Sequence, residues 1–359
     1  MRLPLITIAL TLSIAAKAQS TVYVVDSIRA KDQVTLNAEM STDDIADFTI
    51  IRNQDSLEAL GIANAKMAVF IFTKRYRART DEERAVPTSD LMQQSGDEAY
   101  WHGAPYTGKF IDYYFNGEKK REGALANGRL NGVFTMYYRN GNVSTKREYK
   151  DGVPDGLEKQ FYPDGSTQQQ GDFNEGKEQG VWETFYPNGQ VQQHVSFING
   201  QMEGASLLYY SSGRLKAREE FSQGKGTPDP SQKKLEKLYS DGDEAAKKND
   251  DRKALDLFNR CIGEDSTYPD AWFGKAAVEY KNQNFDDALT DFNRALSIEP
   301  YFKEALTGRA QTRIHKYNKE LPKEEKAKVC ADLYNAALLG DDSDETLAAL
   351  KTFCGGITW

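Results

Sequence analysis

Apolar and polar positions follow two different rhythms along this 359-residue chain, and the change between them divides it. From Gly108 to Thr227 the pattern returns at one fixed interval without drift. Glycines open the units at Gly108, Gly132, Gly156, Gly180 and Gly204. Aromatic pairs follow at Tyr113-Tyr114, Tyr137-Tyr138, Phe161-Tyr162, Phe185-Tyr186 and Tyr209-Tyr210. Each pair precedes a turn dipeptide: Asn116-Gly117, Asn140-Gly141, Asp164-Gly165, Asn188-Gly189 or Ser212-Gly213. An apolar residue (Leu125, Tyr149, Phe173, Phe197, Phe221) and a further glycine (Gly128, Gly152, Gly176, Gly200, Gly224) close each unit. After Ser231 the apolar spacing changes to three or four residues and glycines thin out, which predicts amphipathic helices.

Asn-Gly and Asp-Gly accept positive φ at both central turn positions, so each 24-residue unit predicts one hairpin. A lone hairpin is marginal in water, whereas five stacked copies let the aromatic columns cover one another. The prediction is an antiparallel β-repeat array, a solenoid or long meander. These residues resemble the MORN repeat family, in particular its bacterial variant with a Tyr-Tyr-x-Asn-Gly centre. Pro105-Tyr106-Thr107-Gly108, Tyr137-Tyr138-Arg139-Asn140-Gly141 and Phe185-Tyr186-Pro187-Asn188-Gly189 carry the match. The resemblance implies scaffolding and contact with proteins or a membrane surface, with no chemistry attached. The third unit has Glu158 where others have Phe110, Phe134 or Trp182, and the fifth has Ser206. Looser packing is expected at that column in those two units.

In the helical part, Ala254-Leu255-Asp256-Leu257-Phe258 returns one repeat later as Ala288-Leu289-Thr290-Asp291-Phe292, and Ala271-Trp272-Phe273-Gly274 returns at the same interval as Ala305-Leu306-Thr307-Gly308. Trp272, Ala276, Tyr280, Ala288, Phe292, Ala295 and Pro300 resemble the tetratricopeptide pattern. That resemblance implies a helical solenoid holding a partner protein on its concave face. Trp272 is expected to pack between helices. An insertion around Glu320-Leu321-Pro322 displaces the second helix of the last repeat by eight residues, placing Cys330 where Ala288 stood one repeat earlier. A final helix over Glu345–Cys354 is expected to cover the open end.

The N-terminus carries Arg2, a short apolar run and Ala16-Lys17-Ala18, the layout of a secretory signal peptide over residues 1–18. Strands are expected at Val22–Val25, Phe48–Ile51 and Met67–Phe72, with a helix from Ser56 to Gly61 capped by Asp55 or Ser56. Asp43–Ile51, Leu60-Gly61 and Ala68–Lys74 resemble the plug domain of TonB-dependent outer-membrane receptors. No barrel follows, so that resemblance implies a plug-like interaction module; a generic small α+β fold is the alternative. The fold class is multidomain α+β. The expected organisation is a signal peptide (1–18), a plug-like α+β domain (19–78), a linker (79–100), the β-repeat array (101–227), a linker (228–230) and the helical domain (231–359).

The sequence carries a formal charge of −8, and removing residues 1–18 takes away Arg2 and Lys17 and no acid, giving −10. General attraction to nucleic acid is excluded, and anionic lipid is disfavoured. Cys261 and Cys330 sit at small helix-contact positions. A Cys330–Cys354 disulfide and two free thiols are both open readings, with Cys261 buried. His102, His194 and His315 have no ligand spacing, and no phosphate loop or nucleophile motif occurs, so no catalytic, cofactor or metal residues are assigned. Asp241-Gly242-Asp243 and Asp341–Glu345 are expected as acidic helix starts.

The resulting expectation is a non-enzymatic exported scaffold or adaptor, periplasmic or outer-membrane-associated in a Gram-negative cell, that binds protein partners through a helical groove and a β-repeat surface. A membrane-surface binder is one alternative. An enzyme or enzyme inhibitor acting from the β-repeat face is the other.

Overall fold

The computed structural model describes residues 21–26, 28–30, 36, 40–62, 64–228, 233–318 and 320–356. The signal segment expected over 1–18 and residues 229–230 of the second linker lie outside them. Two compact units form, one from residues up to 93 with 110–120, the other from 94–109 with 121 onward.

In the first unit, β1 (Thr21–Val25), β2 (Ile28–Arg29), β3 (Ile45–Ile51) and β4 (Met67–Thr73) form a sheet in the order β2-β1-β4-β3. β1 runs parallel to β4, and the other pairs are antiparallel. Val25, Leu36 and Ile71 form its core. Helix α1 (Gln54–Ala59) starts ahead of the expected Ser56, because the Asn53 carboxamide oxygen accepts the Ser56 amide at 2.9 Å and takes the cap. Residues 79–100 are not a bare linker. After α2 (Lys74–Ala78), they hold α3 (Asp81–Ala85), a 3-10 turn (Ser89–Leu91), β5 (Gln93–Ser95) and β6 (Glu98–Trp101). What anchors the start of this segment is the fully buried Asp112 carboxylate. It accepts the Ser89 amide at 2.6 Å, the Ser89 hydroxyl at 2.6 Å and the Thr88 hydroxyl at 2.7 Å, so its charge stays solvated by fixed donors.

β7 (Ala104–Pro105) pairs with β6 in a separate sheet of β5, β6 and β7, and the array follows as β8 (Gly108–Tyr113), β9 (Lys119–Ala126), β10 (Arg129–Leu130), β11 (Gly132–Tyr137) and β12 (Val143–Lys150). It continues with β13 (Val153–Phe161), β14 (Thr167–Asn174), β15 (Lys177–Phe185), β16 (Val191–Ile198), β17 (Gln201–Met202), β18 (Gly204–Tyr209), β19 (Leu215–Ser222) and β20 (Lys225–Pro228). From β11 on, the main strands pair antiparallel in sequence order.

The two ends of each hairpin use different turns, and the assignment differs from the sequence expectation. At Asn140-Gly141 only the glycine has positive φ (+86°). Tyr138 donates its amide to the Asn142 carbonyl at 2.8 Å, and the Gly141 amide donates back to the Tyr138 carbonyl at 3.0 Å. The Asn140 side chain accepts the Asn142 amide at 2.9 Å, which favours a longer loop with a glycine bulge. Positive φ at both central positions occurs at the opposite end, in Asn127-Gly128, Asp151-Gly152, Glu175-Gly176, Asn199-Gly200 and Gln223-Gly224.

Successive units are tied by the second aromatic of each pair. The Tyr138 hydroxyl donates to the Phe161 carbonyl at 2.7 Å, Tyr162 to Phe185 at 2.8 Å, and Tyr186 to Tyr209 at 2.8 Å. Burial pushes the Tyr162 phenol up to about 12, so it remains a donor throughout the neutral range.

The column expected to be loose in two units is filled. Glu158 is 2 % exposed, ion-paired with Arg147, and accepts Gln160 Nε2 at 2.7 Å. The Arg147 guanidinium lies 5.3 Å from the Phe173 ring centroid. In the equivalent place one unit on, Trp182 covers Gly171, where a Cβ would fall 2.1 Å from the indole. Ser206 is also buried and accepts Gln193 Nε2 at 3.3 Å. Glu158 and Trp182 are each matched by the residue eleven positions earlier, Arg147 and Gly171, and Ser206 is met by Gln193, so the layer stays filled although the column is not constant.

The helical part contains α4 (Lys233–Lys247), α5 (Asp251–Glu264), α6 (Pro269–Lys281), α7 (Phe285–Ile298), α8 (Lys303–Lys316), α9 (Lys323–Leu338) and α10 (Asp344–Ala349), the last running into a π turn over Leu350–Cys354. Close helix pairing depends on glycine. A Cβ at Gly274 would meet the Phe258 ring at 2.6 Å, and one at Gly308 would meet Phe292 at 2.6 Å, the same contact in the next repeat. Gly242 meets Phe258 in the same way at 2.8 Å, which is why Asp241-Gly242-Asp243 lies inside α4 instead of starting a helix. At the other acidic run, the Ser343 hydroxyl accepts the Thr346 amide and caps α10. No helix among the described residues is long and apolar enough to cross a membrane.

Arg147→Ala leaves the buried Glu158 carboxylate unpaired and is expected to cost about 3–5 kcal/mol in chemical unfolding. The double change Arg147→Gly with Glu158→Trp copies the Gly171–Trp182 pair and is expected to recover most of that loss. Additive destabilisation in the double variant would show that the columns are not interchangeable.

Candidate functional site

A cleft of about 430 Å³ with an apolar floor lies in the helical part between α6, α8 and α10. Its floor is Phe273, Ala277, Phe292 and the backbone at Gly308, and its rim carries Tyr280, Lys303, Glu304, Gln311, Asp341 and Glu345. Gly308 lets the Phe292 ring lie directly against the α8 backbone at this floor, and Phe273 packs onto Phe292 and Phe302, with centroids 6.0 and 5.0 Å away. The rim is fixed by hydrogen bonds. Asp341 accepts the Thr307 hydroxyl at 2.6 Å and the Thr346 hydroxyl at 2.9 Å, and Gln311 donates to Glu345 at 3.1 Å. Desolvation pushes the Asp341 carboxyl up, but the hydrogen bonds from Thr307, Ser343 and Thr346 outweigh it and hold it below the ordinary carboxylate range.

Behind the cleft, buried ion pairs set the helix packing. Asp332 takes Arg309 through both oxygens, at 2.9 and 2.6 Å, and Arg313 at 2.6 Å. Lys275 meets Asp291 at 2.7 Å, where burial raises the carboxyl above its usual value and the ammonium only partly offsets it. The cleft is therefore a rigid, neutral-floored recess with a polar rim. On its rim Lys303 lies 3.9 Å from Glu304.

A second feature joins this part to the array. The tyrosine ladder ends at Tyr210, which has no following unit to receive its hydroxyl. Helical residues cover it, leaving it 2 % exposed. The Ser211 amide donates to Glu299 at 2.7 Å, and Glu299 is itself 5 % exposed. Tyr186 stacks on Tyr301 at 5.6 Å. Arg214 reaches Asp265 at 3.2 Å and Thr267 at 2.8 Å, and Lys216 lies 3.6 Å from Asp270.

Cys330 on α9 and Cys354 at the end of the π turn are joined by a disulfide with Cα atoms 5.5 Å apart. Cys261 is a buried free thiol, and burial pushes it up to about 11. Trp272 is half-buried against the core of the helix pairs and donates Nε1 to the Ser266 carbonyl at 3.0 Å. The three histidines are not brought together. His102 occupies a turn beside Trp101, His194 lies 3.8 Å from Glu183, and His315 meets the Tyr280 hydroxyl at 2.6 Å. Among the described residues no group of three or more His, Cys, Asp or Glu could hold a metal ion. Sequence reasoning missed Glu299 and Tyr301. Their partners lie in a different repeat system, so no periodicity points to them.

Residues 269–302 match the tetratricopeptide repeat family, and residues 130–151, 154–175 and 178–199 match the MORN repeat variant. The uncharacterized protein MJ0572 of Methanocaldococcus jannaschii is 37 % identical over 73 residues, covering 20 % of this chain and 85 % of that one. Over the shared segment the two chains belong to one family. Among solved structures, the TPR domain of Arabidopsis OM64 is 19 % identical, with 35 % of this chain and 98 % of that one covered and a TM-score of 0.31. The first TPR domain of human RPAP3 is 16 % identical, covering 34 % and 90 % with a TM-score of 0.30. The TPR2B domain of yeast Sti1, solved as a pHsp70 complex, is 22 % identical, covering 33 % and 89 % with a TM-score of 0.28. The chain thus joins MORN repeat variant units over residues 130–199 to a tetratricopeptide repeat over 269–302.

Proposed function

We propose that this protein is a non-enzymatic adaptor, exported to the periplasm or outer membrane of a Gram-negative cell, that holds an extended segment of a partner protein in the cleft between α6, α8 and α10. The observation that carries the reading is the cleft itself, with an apolar floor of Phe273, Ala277 and Phe292 and a rim of pre-ordered hydrogen-bonding groups. Export is supported by the layout of residues 1–18 and by the placement of the cysteines. The N-terminal unit is taken as a plug-like interaction module, because the Asp43-Asp44-Ile45 segment leads into β3 and Thr73-Lys74 closes β4. The tyrosine-centred turns are assigned to the bacterial form of the MORN repeat.

Ala277→Arg places a long cation across the cleft floor from a half-buried position. Photo-crosslinking from Thr307 in cells is expected to capture a discrete partner with the parent chain and to lose it with Ala277→Arg. Thermal unfolding of the two chains should match within a few degrees. An identical crosslinking pattern from both chains would remove the cleft from the proposal.

The mature chain is expected to begin at Gln19 when analysed by intact mass. Thiol titration of the exported protein is expected to find none reactive when native, one after denaturation, and all three of the cysteines after denaturation and reduction. Three thiols without reductant would contradict an oxidising destination.

A further inference from the structure

The array has a second surface that the cleft does not involve. Val133, Leu157 and Val181 occupy the same place in three successive units and remain 53 %, 39 % and 47 % exposed. Paired residues of antiparallel strands project to the same face. Val133 pairs with Glu148, Leu157 with Asp172 and Val181 with Ser196, so the three apolar residues form one row interrupted by two exposed carboxylates. The opposite face of the same strands carries the filled column of Glu158 and Trp182, so the packing of the array does not require these residues to be apolar. Three large aliphatic side chains left exposed at one equivalent position, with carboxylates between them, make an alternating apolar and acidic row, and a partner that covers it must match both.

The spacing of the row selects the kind of partner. Equivalent residues are two strands apart, which is about 9.6 Å at the usual strand separation. An α-helix advances about 10.5 Å in seven residues, so a helix laid across the strands presents one apolar residue per heptad to each of Val133, Leu157 and Val181. The mismatch is about 1 Å per step, within the reach of a leucine side chain. An extended strand fits poorly, because its same-face residues recur at about 6.6 Å. The charges select what lies between the apolar positions. Glu148 and Asp172 lie in the row, while Lys146 and Lys159 pair with each other on an adjacent one. A helix with lysine or arginine flanking each apolar residue along its axis, about half a heptad away, meets the carboxylates, whereas a helix shifted onto the adjacent row meets lysines.

We propose that the row Val133–Leu157–Val181 docks an amphipathic helix of a partner protein, apolar at seven-residue intervals and basic midway between them. This rests on the adaptor reading, but it uses a surface distinct from the cleft.

The probe is a synthetic peptide of about three heptads, with leucine at every seventh position, lysine midway between the leucines and alanine or glutamine elsewhere. It is titrated against the full chain by fluorescence anisotropy. Binding is expected to weaken about tenfold or more in the Leu157→Lys and Val181→Lys variants, to weaken with added salt, and to be unchanged by Ala277→Arg. Both positions are exposed, so the variants should fold; thermal unfolding confirms it, and Val133→Lys is the substitute if one does not. The inference is overturned if a glutamate-flanked isomer binds as tightly, or if leucines moved off the seven-residue interval make no difference. It is equally overturned if binding follows Ala277→Arg, or if sedimentation shows the row occupied by a second copy of this chain. Absence of a Thr307 crosslink in the parent chain, with peptide binding intact, would count against the adaptor's cleft and not against the row.

Discussion

A hairpin array is a sheet one layer thick, and its stability depends on what happens where the repeats stop. Inside the array each tyrosine hydroxyl is received by the next unit, from Tyr138 to Phe161 and from Tyr186 to Tyr209. At Tyr210 there is no next unit. An uncovered Tyr210 would leave its ring in water, and the bare end of a repeat array is a template for aggregation. The helical part supplies the missing neighbour with Glu299 for the Ser211 amide and Tyr301 for the Tyr186 ring. Arg214 and Lys216 add ion pairs around the rim, which on a partly exposed junction contribute specificity of placement more than energy. The helical repeats therefore complete the β-repeats.

This dependence explains why the array tolerates such different residues in one structural position. A packed layer must be filled, but it can be filled by any pair of adequate combined volume and satisfied polarity. Trp182 over Gly171 and Glu158 with Arg147 are two solutions of one packing problem. The first is shape complementarity, and the second exchanges dispersion for a charge pair. The charge pair is the more demanding of the two, because either member alone is worse than none.

Most of the architecture can be read from the sequence because both periods are strict. The in-register glycines of the array and the regular return of small residues among the helices are local constraints that a reader of one chain can see. What escapes is of two kinds. The turn types come out reversed because Asn-Gly permits a two-residue turn without requiring it, whereas Glu175-Gly176 and Gln223-Gly224 adopt positive φ at residues that seldom announce it. The looser packing expected at Glu158 is not found for a related reason, since the compensating Arg147 lies eleven residues upstream in another column. The second kind is beyond sequence pattern altogether. Ser211 and Glu299 are 88 residues apart and belong to different periods, and Asp112 gathers Thr88 and Ser89 from a segment that composition marks as linker.

The same junction bears on how the two surfaces can act. An adaptor with two sites on a flexible tether gains only the effective concentration its linker allows. Here the cleft between α6, α8 and α10 and the row at Val133, Leu157 and Val181 belong to one compact unit. Glu299 lies just after α7, which packs beside the cleft helices, and its carboxylate grips the last β-unit. Removing the helices would uncover Tyr210 as well as delete the cleft, so a truncated array would lose stability and partner binding together. Point substitutions at each surface are the changes that separate the two, because they leave the Tyr210 end covered.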